Sequence, residues 1–171
     1  MIAVLALVLA FAETLGKSAQ TTALSQNIEA SNLWSFFQAK TVRMTVLRTT
    51  AEEAELELHQ ISLPKTKEAI EQRIAAWRKT AERYDTEPET GEGRKELAAR
   101  AKQAEKKRDY ALAGYHRYEV ASAAVQIAIV LASAAIITSI AALSWIAAGL
   151  GIVGVAFCGI GFFAPTAVHL F

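Results

Sequence analysis

One end of this chain lacks charge. After Glu119 there is no Asp, Glu, Lys or Arg as far as Phe171, and no Lys or Arg precedes Lys17. A soluble globule needs charged surface along its whole length, so an ordinary soluble domain is excluded, as is intrinsic disorder. Cysteine is reduced to Cys158, which excludes an intrachain disulfide and a thiolate zinc site. The histidines His59, His116 and His169 are far apart, with no HxxxH or HExxH spacing, so no metal site is expected. A net charge of +1 leaves no basic excess for nucleic acid, which is not an expected partner. Proline occurs only at Pro64, Pro88 and Pro165, leaving long stretches free for helices.

What is present is 53% hydrophobic residues in 171, with nearly all the charge confined to a middle stretch ending at Glu119. This pattern predicts an all-α integral membrane protein with membrane lipids as partners. Residues 1–16 are expected to form a short N-terminal membrane helix. Residues 17–119 are expected to form a helical, coiled-coil-like stalk with helices at about 17–60, 65–85 and 94–119. A transmembrane hairpin is expected over 120–164 and a tail over 165–171. The apolar start lacks the leading Lys or Arg of a secretory signal, which favours a retained helix over a cleaved one. From Met1 to Gly16 a helix rises about 24 Å, against a hydrocarbon core of about 30 Å. A thin span, or a start upstream of Met1, is therefore expected, with Glu13 near an interface. From Val120 onward there is length for two spans, with a turn near 138–144 and Trp145 at headgroup level.

Apolar spacing supports the helices. Leu24, Ile28, Leu33, Phe37, Val42 and Val46 recur near a helical period, and Ser62-Leu63-Pro64 closes that helix. Ile70, Ile74, Trp77, Ala81 and Tyr84 follow a 4-3-4-3 spacing, a heptad seam. Leu97, Ala101, Ala104, Ala111, Tyr115 and Tyr118 resume it after the turn-forming stretch 86–93. A helix from Lys17 to His59 rises about 65 Å, and the two later helices together offer about 70 Å. The simplest arrangement is one ascending helix with two shorter ones stacked along the way down; a compact three-helix bundle is the alternative. The basic residues Arg100, Lys102, Lys106, Lys107, Arg108 and Arg117 precede a span, so the stalk and C-terminus are expected to be cytoplasmic.

Candidate sites are few. Gly149-Leu-Gly151-Ile-Val-Gly154 matches the dinucleotide fingerprint, but it lies in an apolar span with no acidic residue after it. Gly151 and Gly154 are read instead as helix-packing glycines. Ser122, Gln126 and Ser133 share one helix face. That face suits interhelical hydrogen bonding better than an ion path, because the sequence shows no ionisable residue beside it. His116, Arg117, Tyr118 and Trp145 are expected at the lipid interface. No catalytic residue and no cofactor is expected.

At Trp34-Ser-Phe-Phe-Gln-Ala-Lys40, followed by Arg43, the sequence resembles a bacterial family, domain-of-unknown-function family 4337. The resemblance continues through Gln126-Ile-Ala-Ile-Val-Leu-Ala-Ser133 and the glycine-rich final span, and covers most of the chain. It implies a bacterial membrane protein with the same order of segments, abbreviated at the front, and supplies no activity, catalytic residue or cofactor. Trp34, Phe36, Phe37, Gln38 and Lys40, with Ile70, Ile74 and Trp77, are the expected surfaces for helix packing or partner docking. The resulting expectation is a non-enzymatic, homo-oligomeric scaffold or accessory subunit of a larger complex in the bacterial inner membrane. The alternative is an oligomeric channel or transport component lined by polar residues of the second span.

Overall fold

The computed structural model describes residues 1–166, so His169 and most of the 165–171 tail lie outside the described residues. These residues form four helices and no strand: α1 Ile2–Leu58, α2 Pro64–Asp85, α3 Arg94–Thr138 and α4 Ala141–Phe163. Helices α1, α3 and α4 are each long and apolar enough to cross a membrane. The chain divides into two compact units. One comprises Met1–Asn27 and the chain from Lys106 onward; the other is Ile28–Glu105.

Helix ends follow local chemistry. α1 runs without a break at Gly16–Lys17 because nothing beyond Gly16 interrupts it before Ser62-Leu63-Pro64. Leu63 is extended, as the residue before a proline prefers, and Pro64 occupies the first turn of α2. Between α2 and α3, Gly91 adopts φ +67°, a left-handed conformation that glycine enters without strain. Glu96, in the first turn of α3, accepts a hydrogen bond from the Glu87 backbone N–H at 3.2 Å and complements the helix dipole. α3 ends at Thr138, and Ser139 makes the turn with φ 56°.

In the unit Ile28–Glu105, α2 runs antiparallel to α1. Arg78 Nη2 donates to Glu55 at 2.7 Å near one end, and Lys40 faces Glu87 at 3.8 Å near the other. The opening turns of α3 then cover an earlier stretch of α1, with Leu33, Leu97 and Ala101 forming a buried cluster. Ile74 and Ala81 are buried on α2, with Ile70, Trp77 and Tyr84 half-buried beside them, so the 4-3-4-3 seam faces α1.

In the unit containing both chain ends, the start of α1 lies antiparallel to α3 and packs with α4. Leu5, Val125, Ala128, Ala132 and Ala147 make its core. A Cβ on Gly151 would lie 2.6 Å from Leu5 Cδ2, and one on Gly154 would lie 3.2 Å from the Ala121 carbonyl oxygen. For helices long and apolar enough to cross a membrane, such closeness of approach is what would hold them, since lipid gives no gain from excluding water.

The α1 seam differs from the expected one. Leu24, Ile28, Val42 and Val46 are exposed, and of that series only Leu33 and Phe37 turn inward. The inward positions are instead small or mixed: Ala12, Gly16, Ala23, Ala30, Leu33, Met44 and Ala51 are buried at heptad-related spacings. Small residues win because they let the helices approach closely, and bulk alone points to the wrong face.

Candidate functional site

The residues singled out from the sequence fall into three groups. The first is on α1 and around the α2–α3 connection. Trp34, Phe37 and Lys40 lie three residues apart and so share a face. The Trp34 indole N–H donates to Glu105 Oε1 at 2.9 Å, and its ring meets Phe37 edge-on at 5.3 Å. The Arg94 guanidinium lies over the Phe37 ring at 5.4 Å. Lys40 Nζ sits 3.8 Å from Glu87 and 3.7 Å from Glu92, and 5.5 Å from the centre of the Tyr84 ring. Phe36 and Gln38 point away and are exposed. The motif therefore splits: Lys40 holds the α2–α3 connection and Phe37 and Trp34 hold α3 itself against α1, a clasp in which Phe36 and Gln38 do not take part.

Beside this clasp, Asp85 faces Lys95 at 2.9 Å and Arg94 at 3.1 Å. The Lys95 hydrogen bond holds the Asp85 carboxyl below its usual range. Partial desolvation opposes this, and the charges of Lys95, Arg94 and Arg48 reinforce it.

The second group joins α3 to α4. Arg117 is only 4% exposed and Tyr118 is also buried. A Cβ on Gly161 would meet Arg117 Cβ and the Tyr118 ring, each at 3.0 Å. His116, 3.6 Å from Glu119, is exposed, and Trp145, at the start of α4, is 79% exposed. The four expected interface residues thus divide into two packed against α4 and two facing outward.

The third group was only half legible in the sequence. Gln126 Nε2 lies 3.3 Å from Ser122 Oγ and also 3.3 Å from Glu13 Oε1. An ionisable residue does accompany the Gln126 face, contrary to the sequence expectation. It comes from a helix more than a hundred residues earlier, so no local spacing reveals it. These three line an open groove of about 440 Å³ with Lys17, Gln20, Tyr115 and Glu119. Its acceptors and donors can hold water, a proton or a polar side chain at the edge of the apolar spans. Among the described residues, no three His, Cys, Asp or Glu side chains converge to hold a metal ion.

The model of the family described as "Domain of unknown function (DUF4337)" matches residues 1–164. The chain belongs to the DUF4337 family. No curated protein matches the chain, and no solved structure does. The Trp34–Lys40 clasp, the Gln126 groove and the α4 glycines all lie inside the DUF4337 match.

Proposed function

We propose that this DUF4337 protein is a non-enzymatic integral membrane protein acting as a homo-oligomeric scaffold or accessory subunit of a membrane complex. In this reading α1, α3 and α4 cross the bacterial inner membrane. Residues between the first and second spans form a cytoplasmic helical stalk, and α3 and α4 close a transmembrane hairpin at Ser139–Ile140. The cytoplasmic side follows from the basic residues between Arg100 and Arg117 set against a 139–140 connection with no charge.

The observation that carries the reading is what the long-range polar pairs do. Trp34–Glu105, Arg78–Glu55, Lys40–Glu87 and Arg108–Asn27 each tie one helix segment to another. Side chains committed in this way support a structural role. Glu13 and Gln126 are exposed beside apolar helices, where lipid is a poor solvent for them, and a second copy would cover them at lower cost.

The same pair favours a second reading, an oligomeric channel or transport component with the Glu13–Gln126–Ser122 face toward the path. Native mass measurement in lipid nanodiscs, paired with bilayer conductance, separates the two. The scaffold reading expects a defined oligomer without unitary current. Single-channel steps altered by Gln126→Leu would replace it with the channel reading, and a monomer would reject both.

A further inference from the structure

The inner face of α1 is filled by α2, α3 and α4, but its opposite face carries a second seam. Within the unit Ile28–Glu105 this seam is Ile28, Asn32, Ser35, Ala39, Val42 and Val46, all exposed. Its steps are four, three, four, three and four residues, the spacing of a coiled-coil contact. Each position stands two residues after an inward one, a rotation of about 200°, so the two seams lie on opposite sides of one helix. No seam position is charged, although Glu29, Lys40 and Arg43 lie on the same stretch. Ile28, Val42 and Val46 are each more than half exposed. A merely solvated face has no reason to keep charge off one heptad stripe.

We infer that this stripe is the seam on which a second copy of the chain packs, α1 against α1, parallel and in register. The inference rests on the oligomeric reading above and names its interface. Two copies inserted the same way in one bilayer present α1 in the same direction, which fixes the parallel sense. In that register the residue before each Asn32-type position faces the residue five further along the other copy. The pairs are Ser31 with Phe36, Gln38 with Arg43 and Thr45 with Thr50, so no like charges meet. The next pair, Glu52 with Glu57, sets two carboxylates together and ends the contact. Asn32 falls at the position where a lone asparagine in a parallel two-stranded coil pairs with its counterpart and fixes both register and pair number. Phe36, exposed and unused by the clasp, gains an apolar flank.

The test uses the full-length protein in native membranes, with Cys158→Ser to remove the only thiol. Ile28→Cys and Val42→Cys are introduced singly, with Lys79→Cys on the exposed face of α2 as control. Mild oxidation is expected to convert both seam variants to a reducible dimer and to leave the control monomeric. Homotypic bonds at both positions require the parallel register. A bond at Ser35→Cys without bonds at the other two would indicate crossing or antiparallel helices and overturn the inference. The combined change Val42→Lys with Val46→Lys, at exposed positions, is expected to shift the native mass to monomer without loss of helicity. If the protein is oligomeric by mass yet forms no seam bond, this interface fails and the oligomeric reading stands. If it is monomeric, both fail.

Discussion

The two units of this protein hold helices together by different means. In the unit Ile28–Glu105, Trp34, Phe37, Leu33 and Leu97 fill the contact, and ion pairs of Lys40 and Arg78 rim it. In the unit formed by the chain ends, alanine and glycine dominate, with Val125 against Gly154 and Leu5 against Gly151. In the proposed membrane arrangement, water rewards the burial of large apolar surface in the first, and lipid, which offers no such reward, leaves the second to depend on how closely backbones approach. The same seven-residue rhythm serves both; in the first unit Ala30, Ala51, Ala81 and Ala101 share it with large side chains, whereas in the second most positions on it are small.

The comparison breaks most sharply at Gly154. Gly154→Leu would drive a side chain into Val125 and the Ala121 carbonyl, and overpacking there is expected to cost about 3 kcal/mol. Gly149 has open space around it, so Gly149→Leu, five residues earlier, is expected to cost less than about 0.5 kcal/mol. Thermal unfolding in detergent distinguishes the pair. If the two variants unfold alike, close approach is not what holds α4.

Large-side-chain packing in the other unit predicts a second contrast. Trp34→Ala is expected to cost about 3 kcal/mol, from lost packing and an orphaned Glu105 contact, and Phe36→Ala under about 0.5 kcal/mol. Chemical unfolding followed by helical circular dichroism reads both.

How much of this is legible in the sequence depends on distance along the chain. The α2 seam through Ile74 and Ala81 could be read directly, because five residues at 4-3-4-3 spacing admit one face. The α1 seam could not, because hydropathy favours Leu24, Ile28, Val42 and Val46 over the alanines that make the contact. Trp34, Phe37 and Lys40 could not be sorted from Phe36 and Gln38, because Trp34 with Gln38 and Phe36 with Lys40 are equally helical neighbours and the sequence groups all five. Nor could the approach of Glu13 to Gln126 be read, since it follows from the register of two antiparallel helices rather than from any motif.

Smaller effects refine the contrast. The Lys95 hydrogen bond holds the Asp85 carboxyl below its ordinary value in the folded protein, so the pairing stabilises the fold above the ordinary carboxylate range. The contribution is lost as pH falls from about 4 through the lowered folded value. Asp85→Asn is expected to flatten the acid limb of a stability–pH curve by under about 1 kcal/mol, because the pair is partly exposed. Ser139 holds a left-handed φ, so Ser139→Gly is expected to raise stability slightly, by about 0.5 kcal/mol. A fall in the melting temperature would show that the Ser139 side chain contributes something the turn needs.

All of these contrasts presuppose that lipid surrounds one unit and water the other. Alkaline carbonate extraction of cell membranes followed by immunoblotting tests that division directly. The protein is expected to stay wholly with the membrane pellet and to enter solution only with detergent. Recovery in the carbonate supernatant would contradict the account, because three apolar helices exposed to water could not remain dispersed there.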